Sequence, residues 1–307
     1  MTSSSTNSEI VHITAPRGFD FWRTAFSHGW CALPPFSHDP GRRELSRVFD
    51  LPGGLTALCR MDAGGRGIRV GTTWSRKPDT AARADLIGQI RTCLRMDEDF
   101  TGFHREARRH PRYRWIASCS AGRMLRSPSV FEDALKMICT TNCTWRLTTI
   151  MVSNLVAGAG SPLAGGRKTF PSPGVVAGMS ESFLRTHVKA GYRSPYILEF
   201  AERVASGNLD VESWRSSPLS TSALFDEMKS VKGIGPYAAG NLLKLTGRYD
   251  YLGLDSWVRA RYFELRHSGR RVKDSTIEKE YEQFGSWRGL FFWLEMTRTW
   301  HADKFRL

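Results

Sequence analysis

The chain has 307 residues, 41% hydrophobic and 24% charged, enough apolar material for a sizeable core and too much for a chain disordered throughout. At roughly 150 residues per domain this length fits one large domain or two ordinary ones. Lys and Arg number 44 against 30 Asp and Glu, a net charge of +14, which points to a polyanionic partner: nucleic acid first, an anionic membrane surface second. No run of 18 apolar residues occurs, which excludes a spanning helix, and the start MTSSSTNSE lacks the basic-then-apolar order of a secretory signal. The expectation is a soluble intracellular protein, cytoplasmic and nucleoid-associated in a bacterium or nuclear in a eukaryote.

Residues 1–8 read as a flexible tail. From Glu9 to Trp74, short apolar runs (IVHIT, FDFWRTAF, RVFDL, LTALCRM, GIRVGTTW) are broken by Pro52-Gly53-Gly54 and Gly64-Gly65, the pattern of strands joined by turns. A helical period takes over from Ala81 to Phe100, with Leu86, Ile90 and Leu94 four apart. The segment after it is the most basic of the chain: Arg105, Arg108, Arg109, Arg112, Arg114, Arg123 and Arg126 face only Glu106, with Tyr113 and Trp115 interleaved. Arginine forks match phosphate, so Arg105, Arg108, Arg109 and Arg112 are candidates for a nucleic-acid backbone, although a solvated face would look alike.

Ser129 and Glu132 stand at capping-box spacing, and Phe131, Ala134, Leu135 and Ile138 mark the buried stripe of the helix that follows. Gly158 to Gly174 reads as a loop. Helices are expected at 180–190, 195–206, 221–230, 237–246 and 256–265, and a tryptophan-rich one near 287–300. The fold class is therefore α+β, a small antiparallel sheet domain over 9–95 followed by a mostly helical domain over 96–307. The six cysteines (Cys31, Cys59, Cys93, Cys119, Cys139, Cys143) include no CxxC pair and read as reduced thiols. Cys139 and Cys143 would share a helix face, but no further ligands lie nearby for a metal.

The most informative stretch is LFDEMKSVKGIGPYAAGNLLKLTGRYDYLGLDSWVRARY, residues 224–262. One helix ends near Lys232, Gly233-Ile234-Gly235 turn the chain, and Pro236 opens a second helix, where its missing N–H is not needed. Glycines at such a turn let the backbone come close to another molecule, and the N–H groups of the turn and helix start form a small anion site. Alone, the GxG is equally an ordinary helix turn.

The longer match resembles the helix-hairpin-helix motif of the DNA glycosylase superfamily, in which an aspartate follows the hairpin at about the interval found here. Here Asp255 stands eighteen residues beyond Tyr237, in a Gly253-Leu254-Asp255-Ser256 context that departs from the usual Val-Asp-Thr-like one. Two more segments fit in order. FEDALKMICTTNCTW (131–145) resembles the 8-oxoguanine DNA glycosylase helix whose asparagine fills the gap left by the flipped base, Asn142 here. AGYRSPYILEFA (190–201) resembles the Gly-Tyr-Arg-x-x-Tyr segment of that enzyme and of 3-methyladenine DNA glycosylase II. The resemblance covers about 96–307, and the N-terminal strands match the sheet domain preceding this core in those two enzymes.

The resemblance implies duplex DNA as partner, base flipping, and Asp255 as the carboxylate that stabilises the oxocarbenium-like sugar and orients water. The simpler role for Asp255 is a cap on the helix from Ser256. Members that also cut the strand carry a lysine four residues after the first hairpin glycine. This chain has Tyr237 there, and neither Lys232 nor Lys244 replaces it by alignment, so a monofunctional enzyme leaving an abasic site for a downstream abasic-site endonuclease is expected. An iron–sulfur loop after the aspartate cannot form, since no cysteine follows Cys143. No cofactor or metal is expected, save room for a monovalent cation at the hairpin, and the chain is expected to act as a monomer. Trp145, Tyr237, Trp257, Trp293 and Trp300 are candidate walls of a base pocket, and Asn241, one turn past Tyr237, a candidate reader of a base edge. An alkylated purine ranks first as substrate, since its charge already weakens the glycosidic bond, ahead of a hypermodified pyrimidine of phage DNA. A non-catalytic helix-hairpin-helix module is the alternative of another class, and no basic amphipathic helix supports a membrane-surface protein.

Overall fold

The structure is a computed structural model that describes residues 7–163 and 165–303; most of the expected N-terminal tail lies outside them. Five strands, β1 (Ser8–Thr14), β2 (Phe36–Asp39), β3 (Glu44–Leu51), β4 (Leu55–Gly64) and β5 (Gly67–Trp74), form one antiparallel sheet in the order β1-β5-β4-β3-β2. A two-residue period is visible on β5, where Ile68, Val70, Thr72 and Trp74 are buried and point to one face. One segment expected as strand is not: Phe21–Ala25 is a short helix. Asp20 starts it by accepting from Arg23 N at 2.7 Å, and Phe21, Thr24 and Ala25 fill the core at helical spacing.

After the sheet the chain is helical. The predicted 81–100 helix is Thr80–Cys93; it stops where Arg95 takes φ 52°, and a separate helix, Thr101–Arg109, follows. Val130–Thr140 is capped by Ser129, whose side chain accepts from Glu132 N, and every residue from Val130 to Cys139 is buried. Helices that the sequence reading did not anticipate include Arg114–Ser118, Trp145–Ala159, Pro173–Ala177 and Asp274–Tyr281, and the tryptophan-rich C-terminal helix is two pieces, Arg288–Met296 and Arg298–Asp303, parted at Thr297.

Two large apolar cores form among the described residues, beside a small cluster of Val48, Leu58 and Leu163. One unites the inner face of the sheet with Val130–Val156 and Ile197–Leu245; the other joins Phe100–Met124 to Tyr249–Met296. A buried ion cluster ties sheet to helix. Arg47 of β3 meets Glu132 through two bonds of 2.8 and 2.6 Å, and Lys136 reaches the same carboxylate at 2.6 Å. Burial alone would raise the Glu132 pKa, but the two cations overcome it and hold it at about 2.

The basic segment is not one surface. Arg123 and Arg126 are buried and serve internal carbonyls: Arg123 donates to Gly18 O and Glu98 O at 2.8 and 3.0 Å, Arg126 to Thr92 O at 2.9 Å. The expectation that they join a phosphate-facing stretch is corrected. Each satisfies backbone oxygens that would otherwise be stranded. Arg105, Arg108, Arg109 and Arg112 are exposed, with Arg109 paired to Glu106 at 3.1 Å and Arg112 to Glu295 at 2.9 Å.

Candidate active site

Where the two cores meet there is a cleft of about 1170 Å³. Its wall is built first by the hairpin. The Thr221–Lys229 helix ends at Ser230, Gly233 turns at φ 87°, and Gly235 is the N-cap of the Pro236–Thr246 helix. Gly233 is required twice over, since a side chain resists this φ and an added Cβ would fall 3.0 Å from the Tyr196 Cβ. Gly235 has nothing within 4 Å of where a Cβ would stand and provides no side-chain cap. The first N–H groups of an 11-residue helix therefore open onto the cleft beside a small, bare turn, the geometry of an anion site. At the other end of that helix, Arg95 donates to Lys244 O and Leu245 O at 2.7 and 2.6 Å, matching a cation to the negative end of its dipole.

Asp255 is both a helix cap and a residue of the cleft. It caps the Ser256–His267 helix, its Oδ1 accepting from Trp257 N at 2.8 Å and Val258 N at 2.9 Å, and it lines the cleft half-buried. Capping fixes the carboxylate and leaves Oδ2 for other work. The loop before it is anchored: Gly289 N donates to Tyr249 O at 2.7 Å, and Arg288 Nε donates to Asp250 O. Burial, reinforced by the Asp255 charge, pushes the Tyr237 phenol above its ordinary pKa. Burial, partly offset by Asp255, brings the Lys244 ammonium down to about 8.

Asn142 lies at the mouth, exposed, at φ 46°. It is not within a helix as the segment match implied. The Val130–Thr140 helix ends before it, and Asn142 occupies the turn to Trp145–Ala159, where asparagine tolerates a left-handed backbone better than most residues. Cys143 is in the same turn, so it does not share a helix face with Cys139; its Sγ donates to Cys139 O at 3.2 Å. The 190–201 segment explains the turn's placement: buried Arg193 donates to Thr141 O, the carbonyl next to Asn142, while Tyr192 stacks on Arg193 at 4.5 Å.

The walls are aromatic. Trp145, Tyr192, Tyr237 and Trp257 are 43–50% exposed, and all four line the cleft. Trp257, Trp293 and Trp300 form one cluster, with ring centroids 5.3 to 6.3 Å apart. Asn241 also lines the cleft, its Nδ2 donating to Tyr237 O at 2.9 Å. The hairpin, Asp255, Asn142, Asn241 and the predicted aromatics are thus brought together. Arg105, Arg108, Arg109 and Arg112 are not among the lining residues. Sequence reasoning did not pick out Tyr192 and Tyr196, though both lie in the matched segment, nor His28, Gly29 and Trp30, which the N-terminal part sends to the same wall. Among the described residues no cluster of three or more His, Cys, Asp or Glu side chains is placed to hold a metal ion, and no helix is long and apolar enough to cross a membrane.

The fold is that of the DNA glycosylases organised around a helix-hairpin-helix. In particular, the chain superimposes on the 3-methyladenine DNA-glycosylase from Archaeoglobus fulgidus with a TM-score of 0.73 at 16% identity, over 96% of this chain and 99% of that one. It is similar to the apo-form of the Clostridium acetobutylicum 8-oxoguanine glycosylase/lyase, with a TM-score of 0.71 at 19% identity over 94% and 95% of the two chains. MBOgg1 in complex with a low affinity DNA ligand gives 0.72 at 18% identity over 97% and 98%. No family model and no curated protein matches the sequence.

Proposed function

We propose that this protein is a monofunctional DNA glycosylase, which flips a damaged or modified base out of duplex DNA and hydrolyses its N-glycosidic bond. The observation that carries the reading is one cleft holding four things together: the bare helix start at Gly235, the fixed carboxylate of Asp255, Asn142 at the mouth, and walls of Trp and Tyr. Each has a task. The helix start and Gly233 turn bind a backbone phosphate and set the strand's position. Asn142 enters the stack as the base leaves it. The aromatic faces receive the base by stacking, which is sequence-tolerant. Asp255 faces the sugar, stabilises the positive charge that grows as the bond breaks, and takes a proton from the attacking water.

Strand cleavage by a Schiff base needs an amine at the sugar. Tyr237 occupies the position that the resemblance gives to that amine, with a phenol held neutral. Lys232 is paired with Glu199 at 2.8 Å, and Lys244 is buried behind the cleft wall. The product is then an intact strand with an abasic site, handed to an abasic-site endonuclease. Glycosidic-bond strength alone favours an alkylated purine as substrate over a hypermodified pyrimidine, and a cleft of about 1170 Å³ has room for either. The test is a duplex panel incubated with the protein. A released base, a strand that breaks only after alkali, and no borohydride-trapped protein–DNA adduct are expected; a trapped adduct would overturn the monofunctional assignment.

A further inference from the structure

The Pro236–Thr246 helix carries Tyr237, Asn241 and Lys244 at i, i+4 and i+7, so the three share one face. The first two line the cleft, and Lys244 lies behind them, 2% exposed. Its ammonium has poor company for a buried charge. The polar atoms in reach are Gly240 O and Asn241 Oδ1, each at 3.5 Å, and its Nζ stands 5.6 Å from the centroid of the Trp293 ring. Gly253 makes room for it: at φ 67°, an added Cβ would fall 2.6 Å from Nζ. The ring of Trp293 lines the cleft, yet its Nε1–H is buried with no hydrogen-bond partner. Two buried donors therefore lie near each other at the inner wall without a good acceptor, a costly arrangement unless a ligand supplies one.

Resting on the glycosylase reading, we propose that Lys244 is a positioning residue that sets the substrate class: through Asn241 and beside Trp293, it makes the pocket one for a base with an acceptor oxygen and no formal positive charge. The chemistry separates the two classes. As the C1′–N bond breaks, its electron pair passes to the base. A neutral base leaves as an anion, and hydrogen-bond donors at its acceptor atoms take up that charge. A cationic N-methylated purine leaves neutral, gains little from such donors, and is repelled by the ammonium on entry. In both cases the water oxygen bonds to C1′. With a neutral substrate the proton that water gives to Asp255 ends on the departed base, restoring the carboxylate; with a cationic one it passes to solvent. Asn241 is the relay. Its Oδ1 faces the ammonium and its Nδ2 is held by Tyr237 O at 2.9 Å, so the amide is fixed in one orientation at the cleft wall. Lys244 thus reverses the substrate order drawn from bond strength: an oxidised base or a hypermodified pyrimidine stands ahead of an alkylated purine.

The test uses one duplex context with four central bases: 7-methylguanine as the cationic probe, and 8-oxoguanine, uracil and glucosylated 5-hydroxymethylcytosine as neutral ones. Single-turnover excision rates are measured for the intact protein, Lys244→Met, and Trp293→Phe, which keeps the ring and removes the donor. The intact protein is expected to favour at least one neutral base over 7-methylguanine by tenfold or more. Each variant is expected to lower that ratio at least tenfold, the loss falling on the neutral base. A purely structural defect would slow both classes alike; an unchanged ratio, or a preference of the intact protein for 7-methylguanine, would overturn the proposal. Release of no base by the intact protein would instead remove the glycosylase reading beneath it.

Discussion

Replacing Lys244 by methionine is expected to make the protein more stable at neutral pH. Folding strips the ammonium of water and returns two contacts of 3.5 Å and the partial compensation of Asp255. The result is a pKa brought from 10.5 to about 8, which corresponds to about 3 kcal/mol of penalty for folding with the charge present. Methionine keeps much of the length, fills the same apolar space and carries no charge. For a chain of 307 residues that penalty is worth about 5 °C in Tm. The sign against pH is definite. Below about 8 both folded and unfolded lysine are charged and the whole penalty stands. As pH rises from 8 towards 10.5 the folded amine is already neutral while the unfolded one is still charged, so the penalty shrinks, and above 10.5 it is gone. Thermal melts of both proteins from pH 6.5 to 9.5 should show a gap that is widest at the acid end and closes steadily on the alkaline side. A variant less stable than the parent at pH 7, or a gap independent of pH, would refute the claim that an undercompensated charge is buried there. A buried charge kept at such a cost is what a functional site leads one to expect.

Further outcomes follow from the same structure. Asp255→Asn is expected to abolish excision, by a thousandfold or more, while duplex affinity holds; because asparagine caps helices as well as aspartate does, the Tm should move by less than about 2 °C, and a large loss of Tm would show that the cap, not the chemistry, was lost. Gly235→Ala meets nothing in the free protein and should fold normally yet bind all duplex sequences more weakly, whereas Gly233→Ala, forced to φ 87° against Tyr196, should lose about 1–2 kcal/mol of stability as well; equal melting curves for the two would contradict this geometry. Glu132→Gln leaves Arg47 and Lys136 buried without their carboxylate and should cost about 3–5 kcal/mol in denaturant unfolding. In the parent, the Glu132 contribution is present above pH 4.5 and is lost as pH falls through about 2, so acid unfolding should come later than for the variant.

The parts legible from sequence are those where one residue type is forced by backbone geometry or by a fixed interval. The Gly233-Ile234-Gly235-Pro236 turn, the Ser129 cap, the turns at Pro52-Gly53-Gly54 and Gly64-Gly65 and the Asp255 interval all have such causes, and the structure brings Asp255 and the hairpin to one cleft. What was missed depended on three-dimensional packing. FDFWRTAF reads as a strand by composition, and only the Asp20 cap separates it from one. WRLTTIMVSNLVAGA is rich in β-branched residues and apolar on several sides, which blurs its period; its sign was the Thr144 cap, accepting from Leu147 N at 3.3 Å. A run of arginines does not say which point inward, and Arg123 and Arg126 became internal donors to carbonyls. In sequence Lys244 stands out only as an amine that misses the strand-cleaving position by alignment; its i+7 spacing from Tyr237 is the one sign that places it behind the cleft.

The central claim is that Asp255 removes a base from DNA, and mass spectrometry of free bases tests it most directly. Alkylated, oxidised, deaminated and phage-type modified DNAs are each incubated with the protein and with Asp255→Asn, and the supernatants are compared. Release of a discrete base by the parent and none by the variant is expected, with both binding duplex equally. Release by both would contradict the role of Asp255, and release by neither while binding persists would leave a helix-hairpin-helix module that holds DNA without chemistry.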